Sequence, residues 1–131
     1  MALPIAQATI VVTFTLEPSG EEEKDLAATL TVLDDDSILI EPSYDGYGLD
    51  VEVHHTGATR DFEFSDKTSV TGKILVPGRT NGWSIQALSA GTLTFTRLDV
   101  ANNSYEGHLR LLKYAGSDRP VGTVSFITAG N

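Results

Sequence analysis

The densest run of chemistry-bearing side chains in this sequence lies between residues 49 and 55, where Asp50, Glu52 and His54 occupy every second position. An extended strand projects residues i, i+2 and i+4 to the same side. The spacing therefore places two carboxylates and an imidazole on one face, a set that suits a divalent cation or an acid/base pair. The same alternation is also what solvent allows on the wet face of a half-buried sheet, which is the simpler account. His55 adjoins His54 and points to the opposite face, so the two cannot share an ion; the third histidine is His108.

Two other groupings offer chemistry of a different kind. Asp34, Asp35 and Asp36, taken with Asp45, supply the carboxylate oxygens that calcium prefers, although the spacing of an EF-hand loop is missing. Consecutive aspartates at a strand corner also serve turn geometry and solubility. Glu21, Glu22 and Glu23 read as a solvated segment. Trp83 with Arg79, Tyr44 and Tyr47 forms a candidate aromatic recognition patch for a sugar or a peptide. A lone tryptophan that caps one end of the core is the competing account. The segments 42–48 and 77–83 are the expected contact loops, since glycines beside aromatics make adaptable surfaces. There is no Gly-x-Ser-x-Gly elbow, no phosphate-cradling glycine loop and no His-Glu-x-x-His pattern. Cysteine is absent, which removes disulfides, thiolate metal sites and a thiol nucleophile. The expectation is that the chain is not an enzyme and carries no cofactor, with calcium at the aspartate turn as the one exception to test.

The elements that would position these residues are strands. A chain of 131 residues fits one domain spanning 1–131, and 40% hydrophobic residues are enough to bury a core. Period-2 alternation runs through Ile10, Val12, Phe14 and Leu16, through Leu26, Ala28, Leu30 and Val32, and through Leu49, Val51 and Val53. It continues at Phe62 and Phe64, at Val70, Ile74 and Val76, at Trp83, Ile85 and Ala87, and at Leu93 and Phe95. Turn signals are expected at 34–36, 77–82, Ser89–Gly91 and 102–103. Residues 91–128 should form a three-strand antiparallel meander. Only Gly20–Thr29 has a composition compatible with one or two helical turns. The expected fold is all-β: a single-domain antiparallel β-sandwich or flattened barrel of about ten short strands, with little or no helix.

Charge narrows the partners. The net charge of −9 argues against nucleic acid, whose phosphates need a basic surface. No run of 18 apolar residues suggests a membrane-spanning helix. The charge is uneven: residues 1–59 hold 12 acids and one base, and residues 60–131 hold 6 acids and 8 bases. Such asymmetry invites an oppositely charged partner or head-to-tail subunits, unless strands of the two halves interleave. The start lacks a basic n-region, and its apolar stretch is broken by threonines, so the expected location is cytoplasmic, with a mature exported form as the alternative. Of the functions compatible with these features, the first is a non-catalytic β-sandwich interaction or structural module, acting through protein–protein contact or self-association. The alternative is a calycin-like β-barrel that holds a small apolar ligand. A carboxylate enzyme built on Asp50 and Glu52, or a sugar site near Trp83 and Tyr47, comes behind both.

Overall fold

Alternating apolar and polar positions do become strands, and the strands close on themselves. A computed structural model of the chain describes residues 3–16, 23–42, 48–54, 56–57, 59–77, 83–114 and 122–129. These contain β1 (Pro4–Leu16), β2 (Glu23–Leu33), β3 (Ile38–Pro42), β4 (Gly48–Val53), β5 (Asp61–Glu63), β6 (Val70–Pro77), β7 (Trp83–Asp99), β8 (Ser104–Tyr114) and β9 (Gly122–Thr128). Neighbouring strands are antiparallel, and the order β7-β6-β4-β3-β2-β1-β9-β8 returns to β7 through the β7–β8 pairing. Eight strands thus form a barrel, with β5 as an extra strand on β7. The seam is the ladder from Ile10–Thr128 to Leu16–Gly122, which joins the first strand to the last.

This resolves the sandwich-or-barrel alternative in favour of the barrel, and it corrects two details. Nine strands are described, and Ser89–Gly91 is not a turn. Gly91 takes φ 123° and kinks a single 17-residue strand, where the register to β8 shifts twice between Leu88 and Thr92. From Glu23 to Thr29 the chain is strand, not helix, and Ala28 and Leu30 are buried between β1 and β3. The expected meander of β7, β8 and β9 is present.

An eight-stranded barrel is just wide enough for its own side chains to fill. Inward positions of every strand described at side-chain level supply them, among them Phe14, Leu30, Ile40, Val53, Phe64, Ile74, Leu93 and Leu109. Three rings cross the interior edge to face. Phe62 and Phe95 stand 6.2 Å apart at 88°, and Phe95 and Phe126 stand 5.6 Å apart at 74°. Gly107 lies between Phe95 and Phe126 in the ladder. A Cβ there would sit 2.5 Å from Cζ of Phe126 and press on the Thr94 carbonyl. The missing side chain is what lets the ring lie against β8.

The end of the barrel where β2 meets β3 and β7 meets β8 is closely tied. Asp36 and Asn103 adopt left-handed backbone, φ 66° and 53°, to close the two hairpins. Side chains fasten these turns to their neighbours: Thr56 Oγ1 donates to the Asp36 carbonyl at 2.8 Å, and Asn103 Nδ2 donates to the Gln7 carbonyl at 2.8 Å. Thr128 Oγ1 donates to the Tyr105 carbonyl at 2.9 Å and accepts from its N–H. The packing of Phe126 on Gly107 makes a direct prediction for urea unfolding. Gly107→Ala should cost about 1–3 kcal/mol by overpacking, and Phe126→Ala about 3–5 kcal/mol by leaving a cavity. A Gly107→Ala midpoint equal to that of the parent would show that the ring does not rest on this backbone.

Candidate functional site

Among the described residues a notch opens in the outer wall, and it follows from a break in strand pairing. The β6–β7 ladder runs from Pro77–Trp83 to Lys73–Ala87 and ends there. On the same edge of β7, β5 takes over at Glu63–Thr92, helped by the Phe64 N–H donating to the Gly91 carbonyl at 2.9 Å. Residues 88–90 of β7 therefore have no ladder partner on that edge among the described residues. A groove of about 290 Å³ opens there, lined by Asp50, Glu52, Lys67, Thr71, Gly72, Lys73, Ala87 and Leu88.

Each wall of the groove has its own positioning device. Asp50 and Glu52 face outward from β4 between the buried Val51 and Val53, as their alternation predicts. His54 shares that face, with Nδ1 3.8 Å from Glu52 Oε1. Register brings Lys73 directly opposite Asp50 and Thr71 opposite Glu52. Gly72 admits Phe64 and Leu88 beneath it: a Cβ would lie 2.8 Å from Phe64 Cε1 and 3.1 Å from Leu88 Cδ1. Lys67 is held by the turn between β5 and β6. There Asp66 Oδ1 accepts from the Thr68 N–H at 3.2 Å and from Thr68 Oγ1 at 2.6 Å, and Oδ2 accepts from Ser69 Oγ at 2.8 Å. The His54 N–H donates to the Ser69 carbonyl at 2.8 Å, which fixes that turn to the end of β4.

The electrostatics of the notch are mixed. Among the described residues, Asp50, Lys67 and Lys73 make no ion pair, so two carboxylates and two ammonium groups line one groove without neutralising each other in pairs. Lys73 beside Asp50 also shows that the two halves of the chain interleave here and interrupt the acidic first half. The sequence singled out Asp50, Glu52 and His54 but not Lys67 and Lys73. The β4–β6 register reveals Lys73 and the turn between β5 and β6 brings in Lys67, and periodicity carries neither.

The remaining candidates divide. Asp34 Oδ1 accepts from the Leu3 N–H at 3.0 Å and Asp35 Oδ1 from the Ser37 N–H at 3.0 Å, while the Asp36 carbonyl accepts from Thr56. Two of the three carboxylates thus serve separate backbone groups. No set of three metal-ligating side chains is placed to hold an ion among the described residues. Tyr44, Asp45, Tyr47 and Arg79 lie outside the described residues. Trp83 begins β7 with its backbone opposite Pro77. The ends of β3 and β6 and the starts of β4 and β7 share the barrel end opposite the Asp34–Asp36 turn.

Period-2 spacing puts Tyr105, Gly107, Leu109 and Leu111 on one strand face, and two of these residues stand out in the structure. Leu111, on β8, is 67% exposed and carries φ 56°, opposite the kink at Gly91. The bulge there breaks the alternation, so that Leu109 and Leu112 are buried and Leu111 is exposed. Tyr105 is fully buried, and its hydroxyl has no partner among the described residues. Burial pushes its ionisation upward, with the charge of Asp99 adding to the effect.

Hydrogen bonds from Thr68 and Ser69 hold the Asp66 carboxyl below the ordinary aspartate range. A depressed folded value means that the carboxylate steadies the Lys67 turn above the unfolded value, and that this support fades as pH falls through the folded one. A carbon-detected NMR titration should place the Asp66 midpoint below that of an unstructured aspartate, with the Thr68 amide shift following it. A midpoint at or above the ordinary value would contradict the turn geometry. Comparison of the chain with known protein families, with curated proteins and with solved structures gives no match.

Proposed function

We propose that this chain is a non-catalytic β-barrel module whose work is contact with another protein, self-association included, through its outer wall. The observation that carries the reading is Leu111. Left-handed backbone costs a leucine about 1–2 kcal/mol. Exposing the side chain forgoes about 1.5–3 kcal/mol that burial would return. A residue unfavourable on both counts is a candidate contact point, because strain and exposed apolar surface concentrate where function requires them. Leu3, Ile5 and Ile127, 59%, 58% and 44% exposed, add apolar surface on β9 and at the start of β1. Among the described residues no helix is long and apolar enough to cross a membrane.

Leu111→Gly separates a contact role from a structural one. Glycine accepts positive φ but loses more backbone entropy, so folding stability should change by no more than about 1 kcal/mol, and upward if strain dominates. Self-association in concentration-dependent sedimentation, or retention of a co-purified partner, should fall. A strict monomer that retains no partner, identical for parent and variant, would overturn the reading.

A small ligand inside the barrel is the second reading, supported by one observation: the Tyr105 hydroxyl. A buried hydroxyl left unpaired costs about 1–3 kcal/mol, which a bound guest with a polar atom would offset. Without a guest, Tyr105→Phe should leave the thermal midpoint unchanged or raise it. With one, native mass spectrometry of the parent should show added mass that the variant lacks. Parent and variant spectra both free of added mass would dispose of the guest.

A further inference from the structure

We propose that the notch between β4, β6 and β7 binds a free aliphatic α-amino acid, with its ammonium group toward Asp50 and Glu52 and its carboxylate toward Lys67 and Lys73. This goes beyond the protein-contact reading and does not depend on it.

Three features converge on a dipolar ligand. The first is the arrangement of charge. A groove lined by acids alone would take a cation, and one lined by lysines alone an anion; this one carries both, with Asp50 and Lys73 directly opposite each other and unpaired among the described residues. The complement of two separated charges of opposite sign is a molecule carrying both charges at short range. The second is the floor, where the peeling apart of β6 and β7 leaves the exposed Ala87 as apolar lining between the charged walls, with Leu88 buried beneath Gly72. A short aliphatic side chain can rest against that methyl group. The third is size: about 290 Å³ lies at the lower limit for small-molecule sites and suits a single amino acid rather than a long chain.

The walls are also preformed. Asp66 fastens the turn that carries Lys67, and the His54–Ser69 backbone bond fixes that turn against β4. Ligand binding need not order these segments, which lowers its entropic cost. The charged groups are exposed to solvent, so the expected affinity is modest, in the millimolar range.

The test is an amide NMR titration of the whole chain with L-leucine, 3-methylbutylamine and 4-methylpentanoate. The three share the aliphatic group but carry both charges, the positive charge alone or the negative charge alone. L-leucine should give saturable shifts at the amides of residues 50–52, 67, 71–73, 87 and 88, and bind at least about tenfold more tightly than either singly charged analogue. Asp50→Asn and Lys73→Gln, both exposed substitutions, should each weaken L-leucine by about threefold to tenfold. The proposal is overturned if L-leucine gives no saturable shift up to its solubility, if the shifts map elsewhere, or if one singly charged analogue binds as well. Each of these outcomes leaves the Leu111 readout untouched, so the two readings fail separately.

Discussion

One strand sets the terms for the rest of the molecule. β7 is 17 residues long, and neither partner on its β6-side edge can cover it: β6 pairs with its first residues and β5 with residues 92–94. The wall has to break between them, and the break is the notch. On the opposite edge β8 pairs with β7 from Leu88 to Asp99, but only with register shifts around Gly91 and Leu111. The kink that lets one strand serve three neighbours therefore produces both the charged groove and the protruding leucine. A shorter β7 would give a more regular barrel with neither feature.

Closure divides the molecule into an inside and an outside with different roles. Inside, the Phe62–Phe95–Phe126 row and the glycine beneath it fill space in the way an eight-stranded barrel requires. The one discordant note there is the Tyr105 hydroxyl, at the end of the barrel tied by Thr128 and Asn103. Outside, closure removes free strand edges among the described residues, except along the short β5 and at residues 88–90 of β7. The charged notch and Leu111 are where the wall departs most from a plain polar surface.

Much of this was legible in the sequence because barrels obey period 2. The outward placement of Asp50 and Glu52, the inward placement of Phe62 and Phe64, and the final meander all follow from alternation and turn residues. What was not legible depends on pairing between distant segments. Lys73 faces Asp50 only because β6 lies beside β4 in a particular register. Ser89-Ala90-Gly91 has the composition of a turn, yet β8 continues its ladder with β7 past this segment, so the glycine bends the strand instead of reversing it. The composition of Gly20–Thr29 was compatible with helix, but burial of Ala28 and Leu30 between two strands overrode that weak local preference. The backbone bonds that Asp34 and Asp35 accept were not legible either, because residue type alone does not show which N–H groups a turn carboxylate meets.

The most direct test of this account is a backbone NOE map of cross-strand contacts along both edges of β7 and across the β1–β9 seam. The account predicts contacts of Ala87 with Lys73 and of Leu93 with Phe62 on one edge, Phe95 with Gly107 on the other, and Val12 with Phe126 at the seam, with none joining Gly72 to residues 88–90 as a continued ladder. A β6–β7 ladder that runs unbroken past Leu88, or a missing β1–β9 seam, would contradict it.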